Sequence, residues 1–193
     1  MKPRYCLGAG VVTMACMALT QVAQAFDKVG ATPRGGDEWF MTLGGTSSHA
    51  RETRVDGRAW NESHSSFGLE RRVAGLPWRS QIDPRWQVRY LGGTLEDSRY
   101  VWSSYAGVGV LREVAHHGPL RLHVGAYSSL YYKSTSWRSD GAMKLIPAVL
   151  PTMSLTDQRS GLGVNLLWVP PVRWAGRDTI STVLLQMSYR VEY

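Results

Sequence analysis

The sequence contains almost no cysteine. Both cysteines, Cys6 and Cys16, lie near its start, so a chain processed beyond them has no thiol for a disulfide, a cysteine-bound metal or a cysteine nucleophile. Long apolar runs are also absent, because no stretch after residue 25 has the roughly 18 uninterrupted apolar residues of a transmembrane helix. The motifs of zinc proteases, phosphate-binding glycine-rich loops and aspartate-rich calcium loops are missing as well. We therefore expect no metal site.

The first 25 residues have the pattern of a secretory signal. Lys2 and Arg4 precede an apolar stretch at 7–19, and Ala23-Gln24-Ala25 matches a cleavage site. The apolar stretch is shorter than the roughly 20 residues of a membrane-anchoring helix. Phe26 stands where a lipoprotein would need cysteine. We therefore expect residues 1–25 to be a signal peptide that is removed on export.

The chain is basic, with 22 Lys and Arg against 15 Asp and Glu and a formal charge of +7. Such a balance alone would suggest a nucleic acid or an acidic surface as partner. Export changes that interpretation, because an exported chain meets a membrane instead. We expect no nucleic acid partner.

The expected mature chain begins with a glycine- and proline-containing arm at 26–37. The remainder, 38–193, alternates between short segments rich in aromatic and aliphatic residues and polar turns such as Asp56-Gly57 and Asp140-Gly141. This pattern predicts one domain of eight strands, an even number as bacterial membrane barrels require. The predicted strands are 38–50, 65–73, 85–95, 101–114, 120–133, 142–152, 160–169 and 179–193.

The last predicted strand alternates most regularly. Leu185, Met187 and Tyr189 fall on one face, and Gln186 and Ser188 fall on the other. This alternation, ending on an aromatic, is typical of a strand with lipid outside and a polar interior. A soluble sandwich or lipocalin-like barrel with its apolar face inward has the same period. The signal, the terminal aromatic and the lack of cysteine favour an all-β, eight-stranded antiparallel transmembrane barrel in the outer membrane.

Three groups with acyl-transfer chemistry lie at one predicted rim. With both termini at the periplasmic side, the first and third strands both end at the external rim, which brings His49 towards Asp97 and Ser98. A serine hydroxyl becomes a nucleophile when an imidazole takes its proton, and a carboxylate orients or stabilises that imidazole. Ordinary rim polarity is the alternative interpretation.

The other histidines are weaker candidates for a catalytic role. His64 lies near the first external loop as a second polar group, and His116 and His117 lie in a periplasmic turn, where solvation is more common than metal binding. His123 alternates with apolar residues and is expected to face the interior.

Several short motifs follow one another in a fairly specific order and spacing. They are His49-Ala50-Arg51, Asn61-Glu62, Phe67-Gly68-Leu69, Asp97-Ser98, Tyr105-Ala106-Gly107-Val108-Gly109, Ile146-Pro147-Ala148-Val149-Leu150-Pro151, Gly161-Leu162-Gly163, Trp168-Val169-Pro170 and Arg190. Together they resemble the lipid A palmitoyltransferases of the PagP type over most of the expected mature chain. The resemblance implies an outer-membrane enzyme that moves a palmitoyl chain from a phospholipid donor to a lipid A acceptor without a cofactor. His49, Asp97 and Ser98 fall on the catalytic positions of that family.

The resemblance also implies an acyl pocket. Gly109 would form its floor and measure the acyl chain, with Gly107 of the same parity as the alternative floor; a glycine that only eases strand curvature is the competing interpretation. Pro151 and Pro170 lie in the sixth and seventh predicted strands. Proline has no N–H for the ladder, so the pair would leave a lateral gate for a lipid tail, unless both simply end their strands.

The acceptor site and the function itself have alternatives. Arg51, Arg54 and Arg58, in or beside the first external loop, are expected to bind lipid A phosphates, unless the loop is only solvated. The family's N-terminal amphipathic helix is expected to be reduced or absent in the short arm at 26–37. A monomer is expected. The competing functions are a non-catalytic barrel and a lipid A deacylase. A filled polar interior would favour the non-catalytic barrel, whereas an acyltransferase needs an apolar cavity that reaches Gly109.

Overall fold

The structure is a computed structural model that describes residues 37–50, 57, 59–76, 83, 85–134, 143–171, 173–174, 177–178 and 180–191. Ten strands run in chain order. They are β1 (Glu38–His49), β2 (Ser66–Ala74), β3 (Trp86–Glu96), β4 (Trp102–His117), β5 (Leu120–Ser134), β6 (Met143–Asp157), β7 (Leu162–Val169), β8 (Arg173–Trp174), β9 (Arg177–Asp178) and β10 (Thr182–Val191). The predicted signal peptide and all but the last residue of the predicted arm lie outside the described residues.

Eight of these strands close into an antiparallel barrel. The order around the barrel is β1-β10-β7-β6-β5-β4-β3-β2, and the last strand pairs with the first from Trp39↔Val191 onward. The strands β8 and β9 form a separate short hairpin. The eight predicted strands are confirmed, with the largest difference at β6, which runs to Asp157 rather than to residue 152. Within the described ranges, no helix is long and apolar enough to cross a membrane.

The barrel is apolar outside and polar inside. Leu43, Met187 and Val149 are 43%, 54% and 62% exposed, whereas Ser154 and Ser188 are buried. A soluble barrel has the opposite sense, because its apolar side chains fill the core. Outward apolar and inward polar residues are the arrangement of a barrel in lipid. The fold is therefore that of an outer-membrane barrel, and the soluble alternative is excluded.

The two halves of the interior differ in chemistry. We call the end where β1, β3, β5 and β7 finish the upper rim, and the opposite end the lower rim. In the lower half, Arg72 and Arg89 are completely buried, and both contact Oε1 of Glu70. Tyr127 donates its hydroxyl to the other oxygen of Glu70 at 2.8 Å, and Arg89 also donates to Ser154 at 3.0 Å. Buried charges persist when they are paired and hydrogen-bonded, so this half is occupied by a cross-linked polar network.

An apolar cluster lies at the middle of the interior and extends towards the upper rim. Its buried members come from four strands and are Leu111, Tyr127, Leu150 and Leu167. Partly buried hydrophobic residues packed against them are Leu91, Tyr131, Ala148, Val169 and Leu184. Tyr127 belongs to both environments, because its ring packs in the apolar cluster and its hydroxyl donates to Glu70 of the polar network. The boundary between the two environments therefore lies at Tyr127.

Candidate functional site

A β-bulge in β1 turns His49 towards the interior. Below it, Leu43 pairs with Met187, and above it, Thr46 pairs with Leu185, a shift of register by one residue. The bulge contains Gly44, whose φ of +51° favours glycine. Because side chains alternate along a strand, an uninterrupted β1 would place His49 on the same outward face as Leu43. The extra residue reverses the parity, and the side chain of His49 is 2% exposed.

A short segment at 59–64 replaces β2 beside the upper part of β1. The β1–β2 ladder ends at Leu43↔Phe67. Above it, the backbone N–H of Ser47 donates to the carbonyl of Glu62, and the backbone N–H of His64 donates to the carbonyl of Gly45, both at 2.9 Å. This segment therefore occupies the position of a strand beside β1 at the upper rim.

His49 and Ser98 form a hydrogen-bonded pair at the upper rim. The Nε2 atom of His49 lies 2.9 Å from Oγ of Ser98, although 49 residues separate them. Trp60 stacks on the imidazole with a centroid distance of 4.5 Å and an interplanar angle of 7°. The Nδ1 atom is buried without a hydrogen bond to any described residue, and Oε1 of Glu62 lies 3.8 Å from it. This pair has the distance that proton transfer from serine to imidazole needs.

Asp97 does not contact the imidazole of His49. Its Oδ1 accepts the backbone N–H groups of Arg99 at 2.8 Å and Val101 at 3.1 Å, and its Oδ2 lies 2.9 Å from Nζ of Lys133. Burial opposes the ionised form, but Lys133 and the two backbone donors outweigh it and hold the pKa of Asp97 below its ordinary value. The structure therefore corrects the expected triad, since Asp97 fixes the turn that carries Ser98 rather than orienting the base.

The turn after β3 is also held from the side. Asn61 donates its backbone N–H to the carbonyl of Ser98 at 3.0 Å and its Nδ2 to the carbonyl of Asp97 at 3.3 Å. Tyr100 closes the turn with a φ of +62°, a conformation that costs a residue with a Cβ about 1–2 kcal/mol. Strained residues of this kind persist where surrounding contacts fix them. Ser98 is thus positioned by two neighbouring chain segments.

A second serine–histidine pair lies beside the first. Nδ1 of the buried His64 lies 2.8 Å from the backbone carbonyl of Glu96, and its Nε2 lies 2.7 Å from Oγ of Ser47. A carbonyl only accepts, so in the neutral ring Nδ1 carries the proton and Nε2 accepts the serine hydroxyl. The sequence placed His64 near the rim but gave no sign of its partner, because Ser47 faces inward only as a result of the bulge.

Gly109 faces the interior, but the space beside it is occupied. A Cβ on Gly109 would collide with the ring of Tyr127, its direct partner on β5. Gly107 has the same parity and would collide with Ser129. Val108 faces outward and is exposed. The predicted floor at Gly109 is therefore corrected: Gly109 makes room for Tyr127, whose ring closes the bottom of the apolar cluster.

The ladder between β6 and β7 is interrupted beside Pro151. Pairing runs from Thr156↔Gly163 to Thr152↔Leu167 and ends there, whereas β6 stays paired with β5 as far as Met143. Pro147 and Pro151 are spaced by an even number, so both lack an N–H towards the same neighbouring strand. Pro170 follows the end of β7. Among the described residues, the upper edges of β6 and β7 are thus unpaired with each other beside the apolar cluster.

The remaining expectations fall into three groups. Arg51, Arg54 and Arg58 lie outside the described residues. His123 is buried in the interior, as predicted, whereas Nδ1 of His116 lies 2.9 Å from Oε1 of Glu113 instead of being free in solvent. Over the described part of the chain, no three His, Cys, Asp or Glu side chains are grouped so that they could hold a metal.

Comparison with known proteins finds structural similarity to outer-membrane proteins. No family model matches the sequence, and no curated protein matches it. The structure is similar to Neisserial surface protein A, with a TM-score of 0.47, 9% identity and coverage of 83% of this chain and 98% of that one. It is also similar to the outer membrane protein Ail of Yersinia pestis, with a TM-score of 0.39, 12% identity and coverage of 81% of this chain and 100% of that one. A third similar structure is outer membrane protein AlkL, with a TM-score of 0.36, 10% identity and coverage of 86% of this chain and 95% of that one. These values carry no functional argument, and membership of the palmitoyltransferase family is not shown.

Proposed function

We propose that the barrel is a phospholipid:lipid A acyltransferase that moves a palmitoyl chain at the outer membrane. The observation that carries the proposal is the 2.9 Å pair between Nε2 of His49 and Oγ of Ser98, which lies at the upper rim above an apolar cluster. A serine–histidine pair activates a hydroxyl for attack on an ester. Apolar residues below it would hold the fatty chain of that ester.

The chemistry at the pair needs only these two side chains and the substrates. Oγ of Ser98 attacks the carbonyl carbon of the donor ester while Nε2 of His49 takes its proton. The ester bond to the donor breaks, and the proton passes from His49 to the departing oxygen. The acceptor hydroxyl then attacks the acyl-serine, giving its proton to His49, which returns it to Ser98.

The gap between β6 and β7 supports a lateral route for the acyl chain. In hydrocarbon, each unsatisfied backbone polar group costs several kcal/mol, so an unpaired edge is unfavourable in a purely structural barrel. Pro147 and Pro151 reduce that cost because they have no N–H to leave unpaired. The gap is flanked by Ala148 and Val169, which pack against the apolar cluster. A lipid tail could thus exchange between the bilayer and the interior.

The side chains that fill the interior help to distinguish the acyltransferase from a non-catalytic barrel and a deacylase. The lower half of the interior is filled by the network around Glu70, as a non-catalytic barrel would have. The part of the interior nearer His49 and Ser98 contains hydrophobic residues of the apolar cluster, such as Val169 and Leu184, together with buried polar residues such as Ser103 and Ser129. A deacylase would use the same pair with water as acceptor, so product analysis must separate transfer from hydrolysis.

The test uses the purified full-length barrel in detergent with a labelled phospholipid and lipid A. His49→Ala and Ser98→Ala should each reduce transfer on the order of 10³-fold or more. Ser48→Ala is the matched control, because Ser48 is the exposed neighbour of His49 on the outward face, and it should leave transfer unchanged.

The products decide among the three functions. Label on lipid A supports the proposal, and label on free fatty acid alone identifies a deacylase. Absence of both from a folded barrel identifies a non-catalytic protein. Near-normal transfer by folded His49→Ala or Ser98→Ala would remove the role assigned to that residue.

A further inference from the structure

We propose that Ser47 is a second activated serine of the barrel, with His64 as its base, and that it reacts with fatty-acyl esters independently of Ser98. The inference goes beyond the proposed function, because it assigns a nucleophile that the first pair does not use. It rests on the two hydrogen-bonded contacts of the buried His64 and on the position of Ser47 beside the apolar cluster.

The contacts around His64 meet the requirements of a serine triad more fully than those around His49. The carbonyl of Glu96 accepts from Nδ1 at 2.8 Å and so fixes the tautomer in which Nε2 is a base. Ser47 lies 2.7 Å from that Nε2. A nucleophile, a base and a group that orients the base are thus in direct contact. His49, by contrast, has no hydrogen bond from Nδ1 to any described residue.

The surroundings of Ser47 indicate the substrate class. Its cross-strand partner on β10 is Leu184, which packs against the apolar cluster. An ester carbonyl at Ser47 would therefore have its fatty chain directed among apolar side chains, while the polar end remained near the rim. Fatty-acyl carboxylic esters fit this arrangement, and short polar esters do not.

The proposed reaction needs no reactant other than the fatty-acyl ester and an alcohol or water as acceptor. Oγ of Ser47 bonds to the ester carbonyl carbon, and its proton moves to Nε2 of His64. The bond to the alcohol oxygen breaks, and that oxygen takes the proton from His64. Water or an acceptor hydroxyl then cleaves the acyl-Ser47 in the same way, with His64 taking and returning one proton.

The experiment is covalent labelling of the folded full-length barrel with an alkyl fluorophosphonate, followed by digestion and mass spectrometry of the serine-containing peptides. We expect modification of Ser47 in the wild type and in a Ser98→Ala variant. His64→Asn should slow modification of Ser47 by about 100-fold, the lower end of general-base contributions. Ser48→Ala, next to Ser47 on the outward face, should change nothing.

A purely structural hydrogen bond would give a different result. If Ser47 and His64 only fasten the segment at 59–64, Ser47 will remain unmodified, or its modification rate will not depend on His64. Either result overturns the proposal, as does labelling confined to Ser98. Should His64→Asn fail to fold, His64→Gln, which also has no imidazole to act as base, is labelled in the same way: slowed modification of Ser47 supports the assignment, and an unchanged rate refutes it. Transfer to lipid A is measured separately, so failure of the proposed function does not affect this readout.

Discussion

The length of the transferred chain should depend on Gly109, but through Tyr127. A side chain at Gly109 has no free space, because its Cβ would overlap the ring of Tyr127. We expect Gly109→Met to push that ring upward into the apolar cluster, which raises the floor on which the acyl chain ends. Donors with shorter chains should then be preferred.

The size of the shift follows from the volume lost. Methionine adds about four heavy atoms, Cβ included, which is enough to exclude about four methylenes of the acyl chain. Each buried methylene contributes about 0.8 kcal/mol, so the longest donor should lose about 3.2 kcal/mol relative to a shorter one, or about 200-fold in selectivity. Gly109→Ala should shift the preference by about fourfold, the value of one methylene.

The assay is transfer from a homologous series of saturated phospholipids, with kcat/KM measured for each chain length. Two controls separate the floor from other effects. Tyr127→Phe removes the hydrogen bond to Glu70 but keeps the ring, so it should cost stability without changing chain preference. Val108→Leu changes an outward residue and should change neither. An active Gly109→Met enzyme with the wild-type chain preference would show that the acyl chain does not reach Tyr127.

Three further predictions concern the parts around the pair. Lys133→Met should raise the pKa of Asp97, because burial then opposes ionisation without the counter-charge of Lys133. The wild-type carboxylate stabilises the fold at neutral pH and loses that contribution only as the pH falls through its lowered pKa. The variant should therefore lose this stabilisation at a higher pH in a plot of unfolding temperature against pH, and identical plots for the two proteins would contradict this role. Pro151→Ala restores a backbone N–H on the open edge of β6 and should slow transfer from bilayer phospholipid by about fivefold, which is the effect of one hydrogen bond. Cleavage of a soluble ester should stay the same, and equal slowing of both reactions would argue against a lateral route. Alanine at Arg51 and Arg58 should raise the lipid A concentration needed for half-maximal transfer and leave donor cleavage intact, and an unchanged acceptor dependence would indicate a merely solvated loop.

The strands were predictable because alternation is a local signal. In β10, Leu185 and Met187 face outward and Gln186 and Ser188 inward, as the sequence indicated. Alternation alone does not say which face meets lipid. The predicted signal peptide, the terminal aromatic and the lack of cysteine favoured lipid outside, and the exposed apolar residues of the barrel confirm that choice. The shared rim of His49 and Ser98 followed from strand order, which needs no side-chain detail.

The finer geometry of the site depends on features that a single sequence does not display. The bulge at Gly44 reverses the parity of β1, and the only local signal for it was the pair of adjacent glycines. Asp97 was expected beside the base because it lies at the same rim and falls on a catalytic position of the palmitoyltransferase family, but its partner Lys133 comes from a strand that is distant in sequence. The position of Tyr127 over Gly109 requires the β4–β5 register, which the turn between them did not fix in advance.

The central claim is that this barrel attaches an acyl chain to lipid A through His49 and Ser98. The most direct measurement is mass spectrometry of lipid A from cells that express the wild-type protein, the His49→Ala variant or neither. We predict a gain of one palmitoyl group in lipid A only with the wild-type protein. Identical lipid A spectra from all three strains, with the barrel folded in the outer membrane of the two expressing strains, would contradict the claim.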